Sequence, residues 1–179
     1  MKYCSMCGDS LVKKHIDAEE RLACASDCGY VHWNNPVPVV AGLVKIGNEY
    51  ILARNSKWPE GFFSVITGFL EAGELPDAAI ARETMEELGL TALSSTFIGH
   101  YPFPQMNQII IGYVIEAIGE PVINDEIADI KRLSEKELVA YDFGVLKLTQ
   151  AMVSAWQAVK EGKNIGVKSH CSSTSFRLA

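Results

Sequence analysis

The sequence predicts an α+β fold preceded by a small metal-held segment, and three observations carry that expectation. Five short runs rich in apolar and β-branched residues, bounded by Gly, Pro and Asn, read as strands. Two longer stretches, at residues 76–88 and 143–160, carry apolar side chains at helical spacing. Two close cysteine pairs fall within the first 28 residues. With 179 residues, 48% of them hydrophobic, the chain can bury one proper core and support a small appendage. It holds no apolar run of about eighteen residues, and Met1-Lys2-Tyr3-Cys4 is not followed by a signal-type segment, so the expectation is a cytoplasmic protein without a membrane span. A net charge of −6 argues against a broad nucleic-acid-binding surface.

The chain opens on Cys4-Ser-Met-Cys7-Gly8 and Cys24-Ala-Ser-Asp-Cys28-Gly29, sixteen residues apart. Two such pairs, each at a tight turn, let four thiolates converge on Zn²⁺ and hold a segment too short for a core of its own. A zinc ribbon is therefore expected over residues 1–36, with a structural role, because four protein sulfurs leave no open position for chemistry. Disulfides are the competing reading, and a cytoplasmic setting makes them the poorer one. His15 and His32 are substitute ligands in principle, although a lone His is more often a surface or packing residue.

Trp33-Asn34-Asn35-Pro36 breaks the chain and marks the boundary of a second domain over residues 37–161. Val37 to Val44 reads as a buried strand, Asn48-Glu49 as a turn, Tyr50 to Ala53 as a second strand, and Phe62 to Ile66 as a third after a polar loop. In that loop Trp58 reads as a packing aromatic, with a place near a substrate as the other reading. Leu93 to Tyr101 and Ile109 to Ala117 read as two further strands. Ser134, followed three residues later by Glu137, carries a helix-start signal. From Phe143 to Lys160, Val145, Leu146, Leu148, Met152, Trp156 and Val159 predict a helix packed on the sheet. Residues 162–179 are small and polar without a period and read as a flexible tail. Within it His170 and Cys171 have no partner spacing that supports a nucleophile or ligand.

The densest chemistry lies in Gly68–Leu90, GFLEAGELPDAAIARETMEELGL. Pro76 suits the first turn of a helix and Gly89 its stop. Ala78, Ala81, Met85 and Leu88 recur at helical spacing and are expected to form its buried side. Glu83, Glu86 and Glu87 would then lie on the opposite arc, with Arg82 on the flank. Like charges at i, i+3 and i+4 repel, so a helix that keeps them gives up stability unless a cation sits among them. Taken alone, three glutamates on a helix are usually a solvated face. The whole pattern of Gly68, Glu74, Arg82, Glu83, Glu86, Glu87, Gly89 and Leu90 resembles the Nudix box, the signature of hydrolases that cleave a nucleoside diphosphate linked to another moiety. Its one departure is Thr84, where the family usually carries an aliphatic residue. The resemblance implies a Nudix fold, a mixed β-sheet sandwiched between helices. It also implies Mg²⁺ or Mn²⁺ held by Glu83, Glu86 and Glu87, with Arg82 and Glu74 keeping helix and loop in register.

After the box, Tyr101-Pro102-Phe103-Pro104-Gln105 resembles the PFP-containing hallmark of the NADH pyrophosphatase branch, which also carries a four-Cys ribbon before its Nudix domain. The hallmark is incomplete: Tyr101 stands where the branch has Trp, Ile98-Gly99-His100 where it has Ser-Gln-Pro, and Met106 where it has Ser. By resemblance, Phe69, Tyr101 and Phe103 contact the base or nicotinamide, with core packing the alternative for Phe69. Glu126 would reach into the metal site as an additional ligand or proton acceptor. The implied activity is metal-dependent hydrolysis of a dinucleotide, favouring NAD(H) to NMN(H) plus AMP, with FAD or ADP-ribose as alternatives and NAD-capped RNA as a side activity. A non-catalytic nucleotide-sensing module is the alternative of another class. Such modules usually lose box glutamates, and this chain retains all of them. The same resemblance suggests a homodimer.

Overall fold

The computed structural model describes residues 1–163, so most of the stretch read as a tail, including His170 and Cys171, lies outside the described residues. The chain forms two compact units, Met1–Pro36 and the remainder from Val37 onward. In the first, β1 (Leu11–Ile16), β2 (Glu19–Cys24) and β3 (Val31–His32) make an antiparallel sheet in that order. Its buried apolar residues are few, Cys4, Ala23 and Cys24, so the cysteines themselves occupy the place of a core.

The second unit is built on β4 (Val37–Ile46), β5 (Glu49–Asn55), β6 (Ile66–Phe69), β7 (Thr91–Phe103), β8 (Gln108–Ile118) and β9 (Ile127–Ser134). The strand order is β7-β8-β4-β5-β9, with β6 also on β4. The β4–β8 pair is parallel and the other pairs are antiparallel, so the sheet is mixed. Among the described residues, three α-helices complete it: α1 (Pro76–Leu88), α2 (Glu135–Ala140) and α3 (Lys147–Lys160). Strand β4 explains the layering. Its odd residues Val39, Ala41 and Leu43 pack with Met152 and Val153 of α3, while Val40 and Val44 pack with Ile80 and Leu88 of α1. A strand covered on both faces reads as a continuous apolar run, as this one does. The mixed sheet therefore lies between helices. Among the described residues, no helix is long and apolar enough to cross a membrane.

The helix signals work as the backbone chemistry requires. Pro76 opens α1, and Gly89 closes it at φ 66 with its N–H on Met85 O. Ser134 and Glu137 form a reciprocal capping box on α2.

Several element boundaries differ from expectation. On α1 the buried residues are Ala79, Ile80, Thr84, Glu87 and Leu88, whereas Ala78 and Met85 are exposed. Alanines at 78, 79 and 81 leave the phase of the stripe open, and burying the branched Ile80 with Leu88 decides it. The turn between β4 and β5 is Gly47-Asn48, since Ile46 pairs with Glu49. Strand β6 begins at Ile66 rather than Phe62. Ahead of it only Ser64 bridges, to Ala53. Helix α3 starts at Lys147, and Val145 is exposed rather than packed. Strand β9 escapes sequence reading because a bulge opposite Arg54/Asn55 puts Ile127 and Ile130, three residues apart, on one face of the sheet, while Leu133 packs on the other.

Candidate active site

Two close approaches place α1 over the sheet. A Cβ at Gly42 would lie 2.8 Å from Ile80 Cδ1, and one at Gly68 would lie 2.0 Å from the Glu83 carboxyl group. Gly68 thus opens the space into which Glu83 folds, which accounts for the first glycine of the box in steric terms.

Arg82 organises what surrounds it. Its Nε donates to Glu74 Oε1 at 2.9 Å. One terminal nitrogen donates to Glu83 Oε1 at 2.8 Å and Glu86 Oε2 at 3.0 Å. The other donates to Glu74 Oε2 at 3.0 Å and the Phe69 carbonyl at 3.1 Å. These five acceptors match the five N–H donors of a guanidinium, so the side chain is fully committed to the protein. The loop it grips is closed by Glu74 N–H on Glu71 O at 3.1 Å and by Glu71 N–H on Glu74 Oε2 at 3.2 Å. Arg82 therefore ties α1, the end of β6 and the intervening loop together. It is the cation that relieves repulsion between Glu83 and Glu86, and its hydrogen bonds hold the Glu74 carboxyl below its ordinary range.

Glu87 is left out of that arrangement. It is 7% exposed, and burial, followed by the charges of Glu83, Glu126 and Glu86, pushes its carboxyl up to about 8. Burial also raises Glu83, although Arg82 opposes the shift. Glu83 and Glu87 accordingly sit beside the buried face of α1 and not opposite it, because the stripe is rotated from its expected phase. Glu83, Glu86, Glu87 and Glu126 line one open cavity of about 430 Å³ together with Phe69 and Gln108. Glu126 is exposed on the turn before β9, its N–H donating to Asn124 Oδ1 at 3.0 Å and its carbonyl accepting from Ser56 N–H at 2.7 Å. An all-carboxylate set with a buried, uncompensated member fits a hard divalent cation, whose charge would offset both burial and mutual repulsion.

A second cavity of about 530 Å³ adjoins the first and shares Val39, Thr67 and Gln108 with it. Tyr101, Phe103 and Trp58 stand in its wall. Tyr101 is half-buried. Its hydroxyl donates to Ile98 O at 3.1 Å, and its ring covers Gly112, where a Cβ would lie 2.8 Å from Tyr101 Cε2. Burial pushes that hydroxyl up to about 12. Phe69 is 60% exposed at the acidic cavity, which rules out core packing. A third cavity of about 80 Å³ lies between Glu87, Glu126, Asn55 and Trp58. Thr67, Gln108 and the cavity-lining role of Trp58 were not marked by any motif. For Thr67 the available signal is its place next to Gly68. Thr84, the departure from the box, is fully buried with its hydroxyl donating to Ile80 O at 2.7 Å, so it fills an aliphatic position with no unpaired polar atom.

In the N-terminal unit the sulfurs of Cys4, Cys7, Cys24 and Cys28 all lie within 4.8 Å of one another. Cys4 and Cys28 are 3.5 Å apart, and Cys7 and Cys24 are 3.4 Å apart. Tetrahedral zinc with bonds of about 2.3 Å requires sulfurs roughly 3.8 Å apart, so the set fits zinc. All four are free thiols rather than disulfides, and His15 and His32 are not in the cluster.

A family model described as NUDIX domain matches residues 36–154, and one described as Nudix N-terminal matches residues 2–34. The NAD-capped RNA hydrolase NudC of Stutzerimonas stutzeri is 29% identical over 132 residues, 73% of this chain and 47% of that protein. The protein of the same name from Mycobacterium bovis is 40% identical over 85 residues, 47% of this chain and 26% of that protein. The chain thus spans about half the length, or less, of these curated relatives. Among solved structures, a NUDIX hydrolase from Nitrosomonas europaea superposes with a TM-score of 0.76 at 21% identity, over 91% of this chain and 94% of that one. The NUDIX domain of Shewanella oneidensis NrtR, solved with ADP ribose, superposes with a TM-score of 0.58 at 10% identity, over 70% and 88%. At such identities the two structures speak to the fold alone. Box geometry, mixed sheet and family match agree, and the chain belongs to the Nudix family, with a Nudix-type zinc ribbon ahead of its Nudix domain.

Proposed function

We infer that this protein hydrolyses the diphosphate linkage of a dinucleotide with the help of Mg²⁺ or Mn²⁺, and that NAD(H), cleaved to NMN(H) and AMP, is the favoured substrate. One observation carries the reading: a cavity lined by five glutamates, Glu71, Glu83, Glu86, Glu87 and Glu126, adjoins a larger aromatic and aliphatic cavity. A diphosphate flanked by flat bases needs that pair of environments side by side. The names of the curated relatives support the NAD-related part of the reading.

Glu83, Glu86, Glu87 and Glu126 would hold the cations, which when bound polarise phosphoryl oxygens and lower the pKa of water. The remaining work falls to the chain. Arg82 and Glu74 are positioning residues, since every guanidinium N–H is already used in fixing the acidic side chains and their loop. Glu126 lines both the acidic cavity and the 80 Å³ cavity, which is large enough to hold water. It accepts a proton from an attacking water. The water oxygen bonds to phosphorus, the bridging P–O bond breaks, and the leaving nucleotide phosphate carries away the electron pair. Phe69 at the acidic cavity and Tyr101 and Phe103 in its neighbour offer flat apolar faces to the bases.

Incubation with NADH, NAD⁺, FAD and ADP-ribose plus Mg²⁺ or Mn²⁺, with AMP as the readout, tests the reading and ranks the substrates. NADH should be cleaved fastest. Tight binding of these compounds without AMP release from any of them would instead make the protein a sensor. The relatives' names also favour NAD-capped RNA as a second substrate, and cleavage of such RNA that declines steeply with salt would support it.

A further inference from the structure

The apolar cavity contains a polar element that neither the box nor the PFP segment supplies. Ser64 and Thr149, 5% and 1% exposed, stand in its wall with their hydroxyl oxygens 2.6 Å apart. They come from different elements of the fold. Ser64 belongs to the bridge before β6, where its backbone exchanges hydrogen bonds with Ala53 at 2.8 and 2.9 Å, and Thr149 belongs to the first turn of α3. Both backbones are fixed, so the pair is preorganised.

Two hydroxyls carry two protons, and their mutual hydrogen bond uses one. Neither hydroxyl makes a further hydrogen bond among the described residues. Thr149 does not bond back to the preceding turn of its helix, as Ser154 and Thr84 do. The second proton therefore has no acceptor among the described residues, and both residues line a cavity whose other polar residues, Thr67, Gln105, Gln108 and Lys147, are exposed or half-buried. A buried donor that lacks an acceptor costs stability unless a ligand or water completes it. Valine or alanine at both positions would fill the same space without that cost.

Building on the dinucleotide reading, we propose that the Ser64–Thr149 pair is a specificity-determining site that donates a hydrogen bond to an acceptor atom on the edge of the planar base held in this cavity. The acceptor is a ring nitrogen or a carboxamide oxygen, and a ligand lacking such an edge gains nothing from the pair. A site built to hydrogen-bond its ligand discriminates more sharply than one built only on apolar contact.

The test is calorimetric binding of AMP, NMN and ribose 5-phosphate, with Mg²⁺ present, to the full chain and to a Ser64→Ala/Thr149→Val variant, with folding checked by circular dichroism. The double variant should weaken one of the two nucleotides roughly tenfold and leave ribose 5-phosphate unchanged. In NADH turnover the loss should appear in KM and not in kcat. Thr149→Ser, which keeps the hydroxyl, should restore the affinity. If the double variant fails to fold, Thr149→Val against Thr149→Ser makes the same comparison. An equal loss for all three ligands, or no loss for any, overturns the proposal. A wild-type protein that cleaves NADH while the variant keeps both nucleotide affinities overturns this site alone, whereas a wild-type protein that binds neither nucleotide removes the dinucleotide reading beneath it.

Discussion

Replacing Glu87 by Gln should have opposite effects on stability and on activity. In the metal-free protein the folded-state carboxyl titrates near 8 against an ordinary 4.5, because it is buried and faces the charges of Glu83, Glu126 and Glu86. Below pH 4.5 both folded and unfolded chains hold the proton, and the group contributes nothing. Between 4.5 and 8 the unfolded chain releases it while the folded chain retains it, so stability falls as pH rises. Above 8 the full penalty is present. Three and a half powers of ten in proton affinity correspond to about 5 kcal/mol, which bounds the effect. Urea unfolding with chelator at pH 6 and pH 9 measures it. Glu87→Gln should be more stable than wild type at pH 9 by several kcal/mol, with a smaller gain at pH 6. Adding Mg²⁺ should stabilise wild type more than the variant, which lacks one carboxylate ligand, and so shrink or reverse the difference, and the same variant should turn over on the order of a thousandfold more slowly. A variant less stable than wild type at pH 9 without metal would refute the reasoning that Glu87 is a buried charge awaiting a cation.

Three further outcomes follow from the same geometry. Arg82→Lys replaces a five-donor fork with a point charge, and steady-state kinetics should show roughly 10- to 100-fold slower turnover as the loop and acidic side chains lose register. Gly68→Ala drives a methyl group into the Glu83 carboxyl, and should cost more than about a hundredfold in kcat while circular dichroism stays native. Stripping zinc with a strong chelator should release four titratable thiols and abolish protection of amides in Met1–Pro36, because the cysteines occupy the place of that unit's core, while amides of β4 and β8 keep their protection.

Much of the site is legible in the sequence because its geometry is local. Gly68, Glu74, Arg82, Glu83, Glu86 and Glu87 fall within one loop and one helix, so the segment that resembles the Nudix box itself contains the guanidinium fork and most of the acidic wall. The capping box of α2 and the glycine stop of α1 are legible for the same reason. Helix phase is less so. With alanines on several faces of α1, the packing of Ile80 against Gly42 of β4, with Leu88 buried beside it, selects which glutamates lie inboard, and that contact joins the helix to a strand distant in sequence. Strand β9 is hidden by its bulge, which shifts Ile127 and Ile130 onto one face at a spacing that imitates a helix. The apolar cavity is assembled from β4, β7, α3 and the loop around Trp58, so Ser64 and Thr149 meet across 85 positions of chain with no motif to join them.

The most direct test of the central claim is hydrolysis of NADH in ¹⁸O-labelled water with Mg²⁺ or Mn²⁺, followed by mass analysis of both nucleotides. The account predicts one labelled oxygen on the phosphate of one product, formed only when a divalent cation is present and suppressed in Glu87→Gln. Recovery of intact dinucleotide under every cation tested, or label uptake that proceeds equally well in the presence of chelator, would contradict it.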